Sequence, residues 1–374
     1  MLTRLYVDNY KSLVNFDLRL GREHLLMGRN GTGKTSVFEV LSALRRFHRD
    51  GTPVEIAFPT STLTRWQKRT RQVFELEVSL EGLSYRYRLE LEQDIERDEG
   101  RVEKEEVFLE GAQLYAREHG QGHAVIRTDG GTLERFLLPP SFNITWLSVF
   151  RSGKHSQKLG RFLAWFERLY VIRMEPRRMT SRSDAEASEP NEDLSNFASW
   201  YRHLTQERLN DVFRLQEDLR NIFDGFDALA LKAVGERART LRSLWKRGAN
   251  GSGPSITDEY TFEELSEGQR ALIGLYTLLH FLSDSGATLC LDEPDNFVAL
   301  SEIQPFLLAL RDQERIQTLL ISHHPEVINL LAPGSGLWFE RVSGGPVRVG
   351  PFQAPPDAAV PAAEIVARGW EDGK

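Results

Sequence analysis

The stretch GRNGTGKT, Gly28 to Thr35, decides the fold that this sequence predicts. It fits the pattern G-x-x-x-x-G-K-[ST] in the context that the pattern requires. The apolar run HLLM at 24–27 is typical of a buried strand, and an apolar helical pattern follows. We therefore predict a phosphate-binding loop, in which backbone N–H groups and a helix N-terminus surround a phosphate chain. The alternative is a glycine-rich strand-to-helix turn that matches by coincidence, and the full match in this context argues against it.

The residues of this loop are expected to contact different parts of a bound nucleotide. Lys34 is expected to reach the β- and γ-phosphates, and the Thr35 hydroxyl is expected to ligate Mg²⁺. The glycines allow backbone N–H groups to turn inward around the phosphates. The predicted nucleotide-binding residues of the loop are Gly28, Asn30, Gly31, Thr32, Gly33, Lys34, Thr35 and Ser36.

Two adjacent carboxylates follow a second buried strand, in the stretch LCLDEPDN at 289–296. An acid at the carboxyl end of a buried strand faces the crevice in which α/β sheets bind ligands. Asp292 is expected to hold the Mg²⁺ shell, and Glu293 is expected to polarise the attacking water as a general base. The alternative, a polar strand end that caps the next helix, is disfavoured once a phosphate-binding loop is present.

Two histidines follow the next strand, in ISHHPE at 321–326. One of them is expected to contact the γ-phosphate and orient the catalytic water. Because side chains alternate along a strand, only one can face the site, and we favour His323. For His324 we favour the alternative, a polar residue at a strand end with its hydrogen bonds satisfied.

The stretch FEELSEGQRALI, Phe262 to Ile273, begins a helix by local rules. Ser266 is a predicted N-cap, and Gln269 completes a capping box ahead of the apolar positions. Gly268 is unexpected in this first turn, because glycine lowers helix propensity. The presence of this glycine suggests a second interpretation, in which the turn forms a surface that binds a ligand.

Composition excludes several other classes of protein. The 374 residues are 40% hydrophobic and 27% charged, which predicts a large domain with one or two lobes. Since the sequence has neither an apolar run of membrane-spanning length nor a signal-peptide pattern, we expect a cytoplasmic, soluble protein without a membrane partner. The single Cys290 excludes a disulfide framework and a cysteine-built metal site. The net charge of −7 argues against a globally basic nucleic-acid binder.

Periodicity predicts an α/β protein organised in several units. Strands and helices alternate around the motifs, as in a buried parallel sheet, whereas period-two alternation on both sides of Glu81-Gly82 predicts an antiparallel hairpin. Helical spacing dominates the middle of the chain. The predicted units are a core (1–50 and 261–345), an antiparallel β lobe (72–140), a mainly helical lobe (141–260) with a flexible loop near 180–193 and a Gly/Ser loop near 246–259, and a C-terminal surface tail (346–374).

Four motifs in this order resemble those of an ABC-type ATPase head: Walker A GRNGTGKT, signature LSEGQ, Walker B LCLDEP and a switch histidine in ISHH. The opening RLYVDNYKSLVNFDLRL and the long insertion after Thr35 resemble the RecF, SMC and OLD branch. Nearly the whole chain is similar to bacterial stand-alone AAA/ABC ATPases of the OLD-like branch, a group linked to anti-phage defence. The stretches that carry this likeness are LTRW (63–66), NFASWYRHL (196–204), SEGQRALIGLY (266–276), DEPDNFVALSEIQPF (292–306) and ISHHPE (321–326).

The resemblance implies a P-loop NTPase that uses ATP and Mg²⁺ and dimerises, or forms a higher oligomer, around two ATP molecules. Glu293, His323 and Lys34 are then catalytic. The signature residues Ser266, Gly268 and Gln269 would contact the nucleotide bound by a second copy. Hydrolysis would operate a nucleotide-dependent switch in anti-phage defence or DNA maintenance. Since OLD-type proteins carry a TOPRIM domain after the ATPase and this sequence ends soon after ISHHPE, we expect a nuclease or toxin effector to be a separate protein.

Two other functions stay open at this point. The protein is alternatively a non-hydrolysing, ATP-bound scaffold that holds a toxin or nuclease, or a RecF-like DNA repair protein. Basic stretches at 45–49, 65–71, 177–182 and 246–248 would track a nucleic acid if they shared one face. The competing interpretation is a solvated surface balanced by acids.

The sequence departs from the general ABC pattern at two places. Ala299 stands where many cassettes carry an aspartate after the Walker B motif, and Asp295 or Asn296 is the candidate to replace it. The candidates for the Q-loop glutamine are Gln72 and Gln157. For both glutamines we favour an ordinary surface residue.

Overall fold

The computed structural model describes residues 1–119, 122–137, 143–154, 156–247, 256–353 and 360–368. The strands are β1 (Leu2–Asp8), β2 (Phe16–Arg19), β3 (Glu23–Gly28), β4 (Arg71–Leu80), β5 (Leu83–Asp94), β6 (Glu99–Leu109), β7 (Ala112–Glu118), β8 (His123–Arg127), β9 (Leu133–Leu137), β10 (Leu169–Ile172), β11 (Arg182–Ser183), β12 (Phe226–Val234), β13 (Ala238–Arg247), β14 (Ile256–Thr261), β15 (Thr288–Asp292), β16 (Gln317–Ile321), β17 (Gly336–Arg341) and β18 (Val347–Pro351). The helices are α1 (Lys34–Arg49), α2 (Val54–Ala57), α3 (Gln157–Glu167), α4 (Phe197–Glu207), α5 (Leu209–Ile222), α6 (Glu267–Leu282), α7 (Leu300–Arg311), α8 (Pro325–Ser335) and α9 (Ala362–Arg368). None of these helices combines the length and the apolar character that crossing a membrane requires.

The core of the molecule is a sheet in the order β10-β15-β16-β3-β17-β18, in which every strand except β18 runs parallel to its neighbours. Strands β15 and β16 are buried along their whole length, as their continuous apolar sequence predicts. Strand β3 lies between β16 and β17. The carboxyl ends of β3, β15 and β16 therefore meet at one edge of the sheet, and this edge carries the Walker A, Walker B and switch-histidine motifs.

An antiparallel sheet in the order β2-β1-β4-β5-β6-β7-β8-β9 packs beside the core. The predicted hairpin is confirmed, because β4 and β5 pair on either side of Glu81 and Gly82, which both have positive φ. Strands β1 and β2 also join this sheet, although their sequence lies within the range predicted for the core. Strand β9 was not predicted, since its side chains are mostly exposed and show no apolar alternation.

Gln317, at the start of β16, connects the two sheets. Its side-chain Nε2 donates to the carbonyls of Leu2 (2.6 Å) and Gly21 (2.7 Å), and its Oε1 accepts from the Leu2 N–H (2.7 Å). The side chain is 3% exposed. Because a buried amide needs its hydrogen bonds satisfied, this residue fixes β1 against the amino end of the parallel sheet.

A third sheet joins β11, β12, β13 and β14 and lies in the range predicted to be mainly helical. Helices α4 and α5 confirm the helical spacing predicted for the middle of the chain. The strands after them were missed because few of their side chains are buried. In β12 the buried residues are Phe226 and Leu229, and β14 has none, so the period-two apolar signal is weak.

Two segments expected to be loose belong to the folded structure. The loop near 180–193 is tied down by Ser181, which donates from its backbone N–H to Glu263 (2.7 Å), and by the pairing of β11 with β13. The surface tail over 346–374 is a wrong expectation for its described part, because β18 pairs with β17 and Val347 is fully buried. Residues 354–359 and 369–374 of that tail, and 248–255 of the predicted Gly/Ser loop, lie outside the described residues.

His48, near the end of α1, is buried where this helix meets α3 and β5. Its ring stacks on Phe166, with a centroid separation of 4.2 Å, and meets Tyr87 edge-on at 4.8 Å. Among the described residues neither ring nitrogen has a hydrogen-bond partner. Burial, together with the nearby charge of Arg151, lowers the pKa of His48 from 6.5 to about 3. The folded protein therefore holds this imidazole neutral.

The substitution His48→Phe is expected to reduce the acid sensitivity of the fold. Below pH 6.5 the unfolded chain binds a proton at His48 that the folded protein does not bind until about pH 3. The free energy of unfolding therefore falls on acidification by up to about 1.4 kcal/mol per pH unit from this residue. Phenylalanine keeps the ring packing and removes this proton uptake. Denaturant unfolding measured between about pH 7 and pH 5 tests the effect.

The control for this experiment is Phe213→Leu, because Phe213 is exposed on α5 and has no titratable group. We expect the control to keep the pH dependence of the wild-type protein. An unchanged pH slope in His48→Phe would show that His48 does not limit stability in acid.

Candidate functional site

The predicted phosphate-binding loop connects β3 to α1 at the carboxyl edge of the parallel sheet. Gly28 ends the strand with φ +141°, and a Cβ there would lie 2.3 Å from the carbonyl oxygen of Phe339 on β17. Gly33 precedes the helix with φ +94°, and a Cβ there would lie 2.8 Å from Val347 on β18. Glycine is needed at both ends of the loop, for its backbone conformation and for close packing against the neighbouring strands.

Lys34 lies under this loop. Its Nζ donates to the carbonyl oxygens of Gly28 (2.7 Å) and Arg29 (3.1 Å), and the residue is 6% exposed. Burial lowers the pKa of Lys34, and the carboxylates of Glu293 and Asp292 act in the opposite direction. The ammonium group is thus held between the loop and the acidic end of β15.

The two Walker B carboxylates have different surroundings. Asp292 ends β15 and is 8% exposed; burial raises its pKa, and the charge of Arg173 opposes this shift. Glu293 follows in the left-handed region with φ +50°, and its N–H donates to the carbonyl of Ile321 (2.9 Å). Its Oε2 accepts from the side-chain amide of Asn296 (2.7 Å). This turn directs Glu293 away from the strand, while Asp292 stays within the sheet edge.

The two histidines after β16 also make different contacts. His323 Nε2 lies 3.9 Å from Glu293 Oε1, and burial followed by the charge of Lys34 lowers the pKa of His323. His324 instead caps α8, where its Nδ1 accepts from the N–H of Glu326 (3.3 Å). The two side chains therefore have the distinct surroundings that strand alternation predicts.

A cleft of about 540 Å³ contains most of the predicted residues. Its lining includes the loop from Asn30 to Ser36, together with Glu293 and His323. Gly28 lies beneath the loop, and Asp292 lines a neighbouring cavity of about 300 Å³. Thr35 lines both spaces, so its position connects the cleft to the Walker B aspartate.

Several residues of the cleft were not predicted as site residues. They come from the turn after β1, from the segment before β4 and from the end of β17: Lys11, Ser12, Ser61, Leu63, Arg65, Trp66 and Arg341. The stretch LTRW marked Arg65 and Trp66 by resemblance alone. Nothing local marks Arg341, because its place in the cleft depends on the pairing of β17 with β3.

The signature forms the helix start that local rules predict. Ser266 is the N-cap of α6, and its Oγ accepts from the N–H of Gln269 (3.1 Å) while Gln269 Oε1 accepts from the N–H of Ser266 (3.0 Å). A Cβ at Gly268 would lie 2.8 Å from the carbonyl oxygen of Phe297, so the glycine has a reason within the chain itself. Ser266, Gly268 and Gln269 are not part of the cleft lining.

The two Q-loop candidates differ in their surroundings. Gln157 is exposed at the start of α3, in agreement with an ordinary surface residue. The same expectation is wrong for Gln72, which is fully buried on β4 and donates to the carbonyl of Asn9 (3.0 Å) and to Thr62 Oγ1 (3.2 Å). Neither glutamine lines the cleft.

The residues proposed to replace the missing aspartate after Walker B have contacts within the chain. Asn296 donates to Glu293, and Ala299 is the N-cap of α7, with its N–H bonded to Glu302. Asp295 is 7% exposed, and among the described residues its Oδ1 has no hydrogen-bond partner. Asn296 therefore contacts Glu293 of its own chain.

The basic stretches are largely neutralised. Arg45 and Arg49 pair with Glu189 at 2.5 Å, and Arg69 pairs with Asp8 at 2.8 Å. Near the signature, Arg177 pairs with Glu267 at 2.7 Å. These ion pairs favour the interpretation of a solvated surface balanced by acids.

Comparison with known proteins identifies the fold and the family. The head of an SMC protein, solved bound to the C-terminal winged-helix domain of ScpA, is 12% identical with a TM-score of 0.53; the match covers 94% of this chain and 98% of that one. The SMC head domain from Thermotoga maritima is also 12% identical, with a TM-score of 0.47 and coverages of 94% and 99%. The curated proteins include no match.

A family model described as "AAA domain, putative AbiEii toxin, Type IV TA system" matches residues 24–329, which include all four motifs. Since this match covers most of the chain, the protein belongs to this AAA family, and it shares the fold of an SMC head.

Proposed function

We propose that this protein binds and hydrolyses ATP with Mg²⁺, and that two copies close around the nucleotide to form a molecular switch. The observation that carries the proposal is the meeting of Lys34, Glu293 and His323 in one cleft. These residues come from three separate parts of the chain. Together they supply a positive charge for phosphates, a base and a polar group beside that base.

Lys34 and the loop bind the triphosphate in this proposal. The N–H groups of the loop and the start of α1 favour negative charge, and Lys34 adds a full positive charge at the same place. Burial strengthens this electrostatic interaction, because water screens it less. The remaining loop residues, from Asn30 to Ser36, contact the nucleotide from the cleft wall.

Mg²⁺ fits the oxygen groups beside the loop. Thr35 and Asp292 line one small cavity, and a hydroxyl and a carboxylate are the hard oxygen ligands that Mg²⁺ prefers. Among the described residues no group of three or more His, Cys, Asp or Glu side chains is placed to hold a metal alone. In this proposal the Mg²⁺ ion takes most of its ligands from phosphates and water. The bound ion would neutralise part of the phosphate charge.

Glu293 and His323 act on the attacking water. Their side-chain atoms are 3.9 Å apart, which is too long for a direct hydrogen bond and leaves room for a bridging water. Asn296 holds one carboxylate oxygen of Glu293 and leaves the other towards His323. Glu293 accepts a proton from the attacking water, and His323 orients that water molecule.

The signature residues act on a second copy in this proposal. Ser266, Gly268 and Gln269 lie outside the cleft of their own chain, so they serve the nucleotide only if another molecule presents it. The start of α6 offers N–H groups and a favourable dipole to a phosphate. The likeness to an SMC head supports the fold on which this arrangement is proposed.

The biological role that we propose is anti-phage defence or DNA maintenance through a separate effector, such as a TOPRIM-type nuclease or a toxin. The family description, with its toxin and type IV toxin–antitoxin system, supports a setting of this kind. The same description suits a scaffold that binds ATP without hydrolysing it. Steady-state release of phosphate distinguishes the two, because a scaffold has negligible turnover even with its partner present.

Substitutions in the cleft are expected to separate binding from turnover. Lys34→Ala should weaken ATP binding at least about 30-fold, since it removes one partner of a buried charge pair. Glu293→Gln should keep ATP affinity and lower the hydrolysis rate about 10²- to 10⁴-fold, since it removes the general base. Calorimetric titration and phosphate release measure these effects, with exposed Lys158→Ala as the control. Wild-type hydrolysis by Glu293→Gln would disprove its role as the base.

Trapping the closed state is expected to reveal the dimer. Glu293→Gln should elute as a dimer in gel filtration with ATP and Mg²⁺ and as a smaller species without nucleotide. The double variant Lys34→Ala, Glu293→Gln should not respond to ATP, because its phosphate site is lost. An ATP-independent elution volume for Glu293→Gln would contradict closure around the nucleotide.

The two histidines are expected to differ in their effects on turnover. His323→Ala should lower the hydrolysis rate on the order of 10²-fold at unchanged ATP affinity, as loss of a transition-state donor does. His324→Asn should hydrolyse ATP normally, because asparagine is a good N-cap for α8. Equal losses in the two variants would rule out the assignment of His323.

A further inference from the structure

A tryptophan lies in the cleft without being buried. Trp66 lines the cleft together with the phosphate-binding loop, and it is 45% exposed. An exposed indole leaves a large apolar surface in contact with water, although most tryptophans in proteins bury it. The proposed roles of the loop, Glu293 and His323 give Trp66 no task.

Arg341 supports one face of this indole. Its Cζ lies 5.0 Å from the centroid of the Trp66 ring, within the range of a cation–π contact. The guanidinium group is itself held by the carbonyl oxygens of Gly344 (2.6 Å) and Gly345 (2.7 Å). The ring is therefore backed by a fixed planar cation, and part of its surface remains exposed in the cleft.

The backbone that carries Trp66 is also fixed. Asn9, fully buried after β1, donates from Nδ2 to the carbonyls of Arg69 and Arg71, both at 2.8 Å, and its Oδ1 accepts from the N–H of Thr64 (3.3 Å). These bonds attach the chain to β1 on both sides of the tryptophan. The exposed ring thus has a rigid support, which lowers the entropy lost when a ligand contacts it.

We propose that Trp66, backed by Arg341, is the surface on which the base of the bound nucleotide stacks. This rests on the proposed binding of ATP at the loop. The triphosphate lies against Lys34 and the loop, and the flat base lies against the indole, which lines the same cleft. A planar base matches an aromatic face in shape and replaces the water that now covers it.

This arrangement divides recognition into two independent parts. The loop and Lys34 bind phosphates by charge, whereas Trp66 binds the base by stacking. Every nucleobase has an aromatic face, so stacking alone favours nucleotides over inorganic phosphates without a strong choice between bases. Loss of the indole should therefore affect ATP and should leave a ligand without a base unaffected.

The test compares ATP with inorganic tripolyphosphate, both with Mg²⁺, by calorimetric titration of the full chain. Trp66→Ala should weaken ATP binding roughly 5- to 150-fold, the range found for loss of one stacked base, and should leave tripolyphosphate affinity unchanged. Trp66→Phe keeps an aromatic face and should retain most of the ATP affinity. ATP should quench tryptophan fluorescence in the wild-type protein and cause a smaller change in Trp66→Phe.

Two controls separate this inference from the proposed function. Phe213→Ala removes an aromatic side chain that is 63% exposed on α5, outside the cleft, and should change neither affinity. Lys34→Ala should weaken both ligands. If the wild-type protein binds neither ligand, the proposed function fails and the inference fails with it. If it binds both, and Trp66→Ala weakens ATP no more than tripolyphosphate, only the stacking role is overturned.

Discussion

The arrangement of this molecule depends on the close contact between the phosphate-binding loop and the strands beside it. Gly28 ends the inner strand β3, and its Cα faces the carbonyl of Phe339 at a distance that no side chain would permit. The helix α1 can then begin directly over the sheet edge, with Lys34 bonded to the carbonyl of Gly28. Because β15 and β16 run parallel to β3, the residues that follow them reach the same edge. The Walker A, Walker B and switch-histidine segments therefore meet at one edge of the sheet.

The chemistry of the proposed site depends on a turn with an unfavourable backbone conformation. Glu293 is a non-glycine residue in the left-handed region, a state that costs on the order of 1–3 kcal/mol. Its N–H bond to Ile321 and its side-chain bond to Asn296 maintain this conformation. Two residues that are neighbours in the sequence therefore have different surroundings. Asp292 stays buried, as suits a ligand of a cation, and Glu293 lines the cleft beside His323.

The insertion between the Walker A and signature motifs supplies residues that line the cleft. Strand β4 pairs with β1, and Asn9 joins the segment before β4 to the end of β1. This places Trp66 in the same cleft as the loop, where it meets Arg341 from β17. The division into a core (1–50 and 261–345) and an antiparallel lobe (72–140) remains a proposal. Strand β1 pairs with β2 and with β4, so both β1 and β2 belong to the antiparallel sheet of that lobe.

Local sequence determined the parts of this protein that depend on neighbours along the chain. The strand, loop and helix around GRNGTGKT, the hairpin at Glu81-Gly82 and the capping box of Ser266 follow from periodicity and turn chemistry, which act over a few residues. Tertiary structure alone decided that Gln72 is buried, that Gly268 packs on Phe297, and that Arg341 supports Trp66. It also decided the sheet of β12 to β14, whose half-exposed strands have a weak apolar pattern. Each of these contacts joins residues distant in the sequence, and their positions are set by strand order and packing, for which no short stretch carries a signal.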